Sequence, residues 1–246
     1  MTRSPTTLPL LAALAATFAI ALSACQPAPD PQVAAAAQKA RQEQAAAEMA
    51  KAFDAQYAAQ NWELARAHGD VLMAEHPDSD AAQRIRPLHE EVRAKATEAA
   101  ETRRTTALWS YDRKPVKGGE QLSAAIYAKA NVDTDGRGAK PVRLIFRDHP
   151  DWGRSSYLVL EAGDFDCYRG CRLKVQVDEL PVKTMAGSRP DTDEAIAMFI
   201  EDERALWRMT DGAKTITVTF PVKAGGTRTA VFEVAGLNRS KLPAWK

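Results

Sequence analysis

The stretch that decides the fold reads Arg172-Leu173-Lys174-Val175-Gln176-Val177-Asp178, in which polar and apolar side chains alternate. Successive side chains of a β-strand point to opposite faces, so this alternation is typical of a strand with one buried face. The same pattern recurs at 215–220 and at 229–234. Short strands of this kind, separated by turn residues, indicate an antiparallel sandwich or an open barrel.

Weaker signals fill the rest of this half of the chain. Less regular strand-like runs lie at 124–132, 142–147, 156–160 and 195–200, and a short helix is predicted at about 201–209. We therefore expect the second half to form an antiparallel β-sandwich domain with one short helix. It is long enough to bury a core of its own.

The first half has the composition and periodicity of helices. Residues 26–60 contain 14 alanines, and alanine is the strongest helix former. Helices are expected at about Val33–Gln60, 62–76 and 81–103. Ser79 or Asp80 can cap the third helix, and Pro87 should kink or split it. The predicted fold class is α+β, with an N-terminal helical hairpin segment followed by the β-domain.

The sequence divides into four segments at changes of composition. They are a signal peptide at 1–24, a Pro/Ala-rich tether at 25–37, a helical segment at 38–104 and the β-domain at 105–246. Across the whole chain, 33 Lys and Arg residues nearly balance 32 Asp and Glu residues. This balance gives no electrostatic reason to expect nucleic acid as a partner.

The N-terminal segment predicts the compartment. An apolar run of 17 residues, from Leu8 to Ala24, follows Arg3 and is shorter than the roughly 20 residues of a membrane span. It ends in Leu22-Ser23-Ala24-Cys25, which resembles the lipobox of bacterial lipoproteins. That resemblance implies lipid on Cys25 and, because Gln26 is not aspartate, an outer-membrane anchor facing the periplasm. The alternative is ordinary secretory cleavage with Cys25 unmodified.

The spacing of Trp62, Ala65 and Pro77 resembles one tetratricopeptide-type helical hairpin. Gly69 departs from that pattern, because it occupies a position that is usually large, and no second full copy is present. An unrelated antiparallel helical pair, or coiled coil, is the alternative. The resemblance implies contact with another protein.

Cys167 and Cys171 are expected to form a structural disulfide across a short hairpin loop, with Gly170 at the left-handed position. The periplasm is oxidising, which favours the bond. A loop this short gains only about 2 kcal/mol from closure on the entropy model. Free thiols or metal ligation are the alternatives.

Other chemistry-bearing residues form no recognisable site. Asp133-Thr134-Asp135-Gly136 begins like a calcium loop, but Arg137 takes a ligand position, so a solvated turn is expected. The histidines (His68, His76, His89 and His149) do not pair, and the three on predicted helices are assigned solvated or capping roles. Ser155 and Ser156 lack a nucleophile elbow. The carboxylates (Asp164, Asp166 and 201–203) are assigned to a solvated face. We predict no catalytic residue, no metal and no small-molecule cofactor.

Residues 105–240 are similar to a group of uncharacterised proteobacterial envelope proteins. The similarity lies in the order of Trp109-Ser110-Tyr111, His149-Pro150-Asp151-Trp152-Gly153 and Phe232-x-Val234-x-Gly236-Leu237. It implies a β-sandwich and no mechanism. The sequence therefore favours a non-enzymatic lipoprotein that binds another envelope protein. The alternatives are an inhibitor or immunity protein against an envelope-targeting toxin, and a cell-envelope hydrolase with an unrecognised site.

Overall fold

The computed structural model describes residues 30–190 and 196–245. Three helices come first and are followed by strands and one further helix. The helices of the first half are α1 (Pro31–Ala58), α2 (Trp62–Glu75) and α3 (Asp80–Ala107). All three predicted helices are present, and strands begin at Trp109.

The start of α1 corrects the predicted tether at 25–37. Residues from Pro31 onward are helical. The Asp30 side chain accepts a hydrogen bond from the Gln32 N–H, and proline at the first helical position sacrifices no helical hydrogen bond. The alanine-rich part of the expected tether therefore belongs to the helix.

The third helix is capped as expected but is not split. Ser79 Oγ accepts a hydrogen bond from the Ala82 N–H at 3.1 Å, which satisfies one free donor of the first turn. Pro87 lies inside α3, and the helix continues past it to Ala107. Its buried residues on both sides of Pro87, among them Ile85 and Val92, hold the helix against the rest of the segment.

The helical segment has its own hydrophobic core, and one histidine enters it. Phe53, Leu72 and Ile85 are fully buried there. His89 is only 4% exposed, with its ring edge-on to Phe53. Its Nε2 lies 3.0 Å from Asp70 Oδ1, in a direction poorly aligned for a hydrogen bond. The solvated or capping role predicted for His89 is therefore wrong, because its ring fills the space left open by Gly69 on α2.

Replacing Gly69 with alanine is expected to destabilise this core. A Cβ atom at Gly69 would lie 2.3 Å from His89 Cδ2. We expect a loss of about 1–3 kcal/mol in the free energy of unfolding from overpacking, although alanine is the better helix former. Urea denaturation measures the change. In a His89→Ala background the same substitution should be neutral or stabilising, and an equal loss there would exclude the His89 ring as the cause.

The described residues of the second half form nine strands and a short helix. The strands are β1 (Trp109–Val116), β2 (Gly119–Tyr127), β3 (Val142–His149), β4 (Gly153–Leu160), β5 (Cys171–Val177), β6 (Lys183–Ser188), β7 (Ala197–Ile200), β8 (Ile216–Pro221) and β9 (Thr227–Phe232). The helix α4 (Glu203–Met209) follows β7, and three short 3₁₀ turns occupy 234–245. Every strand pair is antiparallel, which confirms the α+β class with a helical segment before an antiparallel domain.

All nine strands are hydrogen-bonded in one sheet, in the order β1-β2-β3-β4-β7-β6-β5-β8-β9. A sandwich has two sheets, but here the pairing of β4 with β7 joins the strands into one continuous sheet. The sheet curls over a single core to which every strand contributes buried side chains. The Lys129 N–H donates a hydrogen bond to the Val231 carbonyl at 2.7 Å. The segment after β2 is therefore hydrogen-bonded to β9, which stands at the other end of the strand order.

Aromatic rings fill one end of this core. Phe146 is fully buried and packs against Trp109, Trp207 and Trp245, with ring centroids 6.3, 5.1 and 5.4 Å away. Trp109 is stacked with Phe146, whereas Trp207 and Trp245 meet it edge-to-face, and the ring quadrupole favours both offset-stacked and edge-to-face arrangements. The cluster joins β1 and β3 to α4 and to the C-terminal turn.

The helical segment and the β-domain meet at a close backbone contact. Gly236, in the 3₁₀ turn after β9, packs on the last turn of α3 near Thr105. Beside it, Glu233 accepts a hydrogen bond from Arg104 Nη2 at 2.8 Å, and Lys129 Nζ lies 3.5 Å away. The hydrogen bond from Arg104 lowers the pKa of Glu233 below its ordinary value.

The junction should weaken in acid because of this carboxylate. A lowered folded-state pKa means that Glu233 stabilises the fold above its ordinary pKa of 4.5 and loses this effect as the pH falls through the lowered value. We expect Glu233→Gln to cost about 1 kcal/mol at neutral pH and nothing in strong acid. Urea denaturation across pH measures the difference. Glu120→Gln, in an exposed pair, is the control, and a Glu233 effect that persists in strong acid would contradict the prediction.

Candidate functional site

The predicted disulfide is formed. The Sγ atoms of Cys167 and Cys171 are 2.01 Å apart, and the Cα atoms are 4.8 Å apart. Gly170 has a φ of 100° as expected of the turn, and Arg169 before it is also left-handed at 63°. The bond closes a turn rather than a β-hairpin, because Phe165 pairs with Val222 and not with β5.

The calcium-like loop is a set of self-capped turns. Asp133 Oδ1 accepts from the Gly136 N–H and Asp135 Oδ1 from the Arg137 N–H. Thr134 is buried and donates its hydroxyl to the Ala162 carbonyl at 2.6 Å. Across 30–190 and 196–245, no group of three or more His, Cys, Asp or Glu side chains is placed to hold a metal ion.

Several of the serines and carboxylates singled out in the sequence have hydrogen-bond partners within the domain. Ser156 is buried with its hydroxyl near the Ile200 carbonyl, and Ser155 Oγ accepts from Arg147 Nε at 3.1 Å. Asp202 caps α4 through the Ala205 N–H. Asp164 is not on a solvated face. It is buried, and its carboxylate accepts a hydrogen bond from Arg189 Nη1 at 3.0 Å.

The lipidation site predicted at Cys25 lies outside the described residues. Within the part of the chain that the structure describes, no helix combines the length and apolarity that a membrane crossing requires.

One outward face of the sheet gathers arginine and aromatic side chains from β2, β3, β4 and β7. We call it the arginine–aromatic face, and it consists of Tyr127, Arg143, Ile145, Arg147, Trp152, Tyr157 and Phe199. The strand register brings them together. Tyr127 is opposite Arg143, Ile145 is opposite Tyr157, and Tyr157 is opposite Phe199. Residues opposite one another in antiparallel strands share a face, so these side chains form neighbouring rows.

The arginines of this face lie over aromatic rings. Arg143 Cζ is 5.5 Å from the Tyr127 ring centre, and Arg147 Cζ is 5.3 Å from that of Tyr157. Tyr157 in turn packs on Phe199 with centroids 5.4 Å apart. These distances fall within the range of cation–π attraction, which favours a position of each guanidinium over the neighbouring ring. The face is therefore ordered rather than a collection of free side chains.

Trp152 extends the face at the β3–β4 turn. His149 Nδ1 accepts hydrogen bonds from the Asp151 and Trp152 N–H groups, at 3.1 and 3.3 Å. The His149 ring stacks on Trp152 at 4.0 Å, and Arg147 Cζ lies 5.4 Å from the indole. Trp152 nevertheless remains 70% exposed. A turn this well supported presents a large apolar ring to solvent in a fixed position.

The face carries positive charge, and no carboxylate of the described residues compensates it. Neither Arg143 nor Arg147 has a carboxylate oxygen within 4.0 Å in the described residues. Ile145 points outward between them and is only 8% exposed, so the surrounding side chains cover it. Arginine, tyrosine and tryptophan are the residues most enriched at the energetic centres of protein interfaces.

Sequence reasoning did not identify this face. Its members are spread from 127 to 199, and no local motif links them. The usable signal was Arg143-x-Ile145-x-Arg147, in which three alternate positions of one strand share a face. Their aromatic neighbours become visible only once the strand order is known.

The comparisons with known proteins add no assignment. No family model, no curated protein and no solved structure matches the chain.

Proposed function

We propose that this protein is an outer-membrane-anchored periplasmic lipoprotein that binds another envelope protein without enzymatic activity. The arginine–aromatic face is the binding surface. The observation that carries this proposal is the pair of arginines without carboxylate partners, held on aromatic rings across adjacent strands. Such a surface complements an acidic patch on the partner.

The helical segment supports a spacer role. The stretch from Pro31 to Ala45 contains no buried residue, and 15 helical residues extend about 22 Å. Cys25 lies shortly before this helix in the sequence. With lipid on Cys25, α1 separates the β-domain from the bilayer and leaves the arginine–aromatic face accessible to a partner.

Site-specific photo-crosslinking in the bacterial envelope tests the binding surface. A photoreactive amino acid replaces Tyr127, which is 56% exposed, or as a matched control Val182, which is 54% exposed and outside the face. We expect one discrete protein adduct at Tyr127 and none at Val182. The partner, identified by mass spectrometry, should bind the purified protein more weakly as salt is raised.

Charge reversal separates this proposal from chance proximity. Arg143→Glu/Arg147→Glu should abolish the Tyr127 adduct. Lys117→Glu/Arg137→Glu changes the charge equally at exposed positions outside the face and should leave it intact. An adduct that survives in the first variant, or that appears equally at Val182, would overturn the assignment of the face.

A further inference from the structure

A second feature, lined by residues outside the arginine–aromatic face, is a cavity between α4 and the C-terminal turns. Its volume is about 160 Å³. Three of its lining residues are arginines, two are tryptophans and one is leucine: Arg204, Arg208, Arg239, Trp207, Trp245 and Leu242. Pockets that enclose a drug-sized ligand usually have volumes of about 300–1,000 Å³. This smaller cavity therefore fits a single functional group.

Arg239 is held in place by its surroundings. Its Nη1 donates to Thr210 Oγ1 at 2.8 Å and lies 3.3 Å from the Trp207 carbonyl oxygen. Its guanidinium carbon is 4.4 Å from the Trp207 ring centre, which fixes the plane of the group by cation–π contact. Thr210 itself is buried and donates its hydroxyl to the Trp207 carbonyl. The guanidinium is therefore oriented before any ligand arrives.

The cavity wall is rigid on its apolar side. Trp207 and Trp245 are 4% and 3% exposed, and their rings lie 5.0 Å apart. Phe146 packs edge-on to both of them from the core. Arg154 Nη1 donates to the Ala244 carbonyl at 2.7 Å and so fastens the C-terminal turn to β4. Preorganisation of this kind reduces the entropy lost on binding.

Among the residues that the structure describes, the three arginines that line the cavity have no acidic partner. No carboxylate oxygen of residues 30–190 or 196–245 lies within 4.0 Å of Arg204, Arg208 or Arg239. On the helical segment, by contrast, Arg84 and Arg103 each have a carboxylate within 2.8 Å. Three positive groups around one small space, with no carboxylate of the described residues beside them, attract an anion.

We propose that this cavity binds a phosphate group. Three guanidinium groups offer several forked donors, and a phosphate monoester presents three oxygens with a charge approaching −2. A carboxylate has only two oxygens and one charge, so it matches the three groups less well. The phosphate comes either from free inorganic phosphate or from a lipid whose headgroup is a phosphate monoester, as in phosphatidic acid, and both share this recognition chemistry. The proposal does not depend on the protein partner proposed above.

Tryptophan fluorescence of the full chain tests the site. Because Trp207 and Trp245 line the cavity, a bound anion should change their emission. Inorganic phosphate and glycerol 3-phosphate are titrated separately at constant ionic strength, with sodium chloride as the baseline. Tighter binding of glycerol 3-phosphate supports the headgroup source, and tighter binding of inorganic phosphate supports the free anion. No saturable change with either compound overturns the proposal.

Two double variants make the test specific. Arg204→Gln/Arg208→Gln removes two exposed lining charges and should weaken phosphate binding by at least about tenfold, because each guanidinium supplies charge-assisted hydrogen bonds. Lys117→Gln/Arg137→Gln removes the same charge elsewhere and should bind within about twofold of the parent. Equal thermal midpoints establish that both variants fold. Equal affinities in the two variants would overturn the proposal.

Discussion

Replacing Gly236 with valine is expected to lower the free energy of unfolding by about 3 kcal/mol and to loosen the helical segment from the β-domain. A Cβ atom at Gly236 would lie 2.2 Å from both Thr105 C and Thr106 N. Both are backbone atoms in the last turn of α3, so no change of rotamer can relieve the clash. The turn or the helix must move, and the Arg104–Glu233 ion pair beside it would be lost.

Urea denaturation and limited proteolysis measure this effect. Cleavage should become faster near Leu108, between the two segments, while circular dichroism still reports helix and strand. Ala235→Val is the matched control, because Ala235 is the exposed neighbour in the same turn. If both variants have the same stability and cleavage rate, the Gly236 contact does not couple the two segments. The proposed spacer role of α1 would then lose its rigid connection to the binding face.

Strands with one buried face were predictable from local sequence. Leu173 and Val175 on β5, and Ile216 and Val218 on β8, are buried, whereas the polar residues between them are not. The alternation of apolar and polar residues indicates directly which side chains are buried, because successive residues of a strand lie on opposite faces. The helices were predictable for a similar reason, since composition and capping act within a few residues of one another.

Two strands escaped prediction because their neighbours determine them. β1 reads Trp109-Ser110-Tyr111-Asp112-Arg113-Lys114-Pro115-Val116, and only Trp109 is buried. Polar residues and proline are typical of an edge strand, where one side has no partner. β6 contains Gly187, a weak strand former, yet it pairs with both β5 and β7. In both cases, pairing within the sheet outweighs local preference.

The candidate sites could not be predicted from local sequence. Arg143 and Tyr127 are neighbours only because β2 pairs with β3 in one register. A shift of β3 by one residue would turn Arg143 toward the core and away from Tyr127. Gly69 and His89 show the same dependence, because the open space on one helix is explained by a ring on another. The two candidate sites therefore depend on topology, whereas the Cys167–Cys171 disulfide was predictable from local sequence.

Replacing Cys25 with alanine is expected to abolish lipidation and membrane attachment altogether. The sulfur of Cys25 is the atom proposed to carry diacylglycerol, and alanine offers no group that can replace it. Acyl chains contribute about 0.8 kcal/mol per buried methylene, so two or more chains account for stable attachment and their loss releases the protein. Labelled palmitate and membrane fractionation measure the change, together with the precursor mass that shows whether the leader remains.

Two further variants separate lipidation from sorting and from the other cysteines. Cys167→Ser should retain full palmitate labelling, because that sulfur belongs to the disulfide. Gln26→Asp should also remain lipidated but move to the inner membrane, since the proposed outer-membrane address depends on the residue after Cys25. Palmitate labelling of Cys25→Ala would refute the lipid site. Unchanged fractionation of Gln26→Asp would refute the sorting argument while leaving the anchor itself in place.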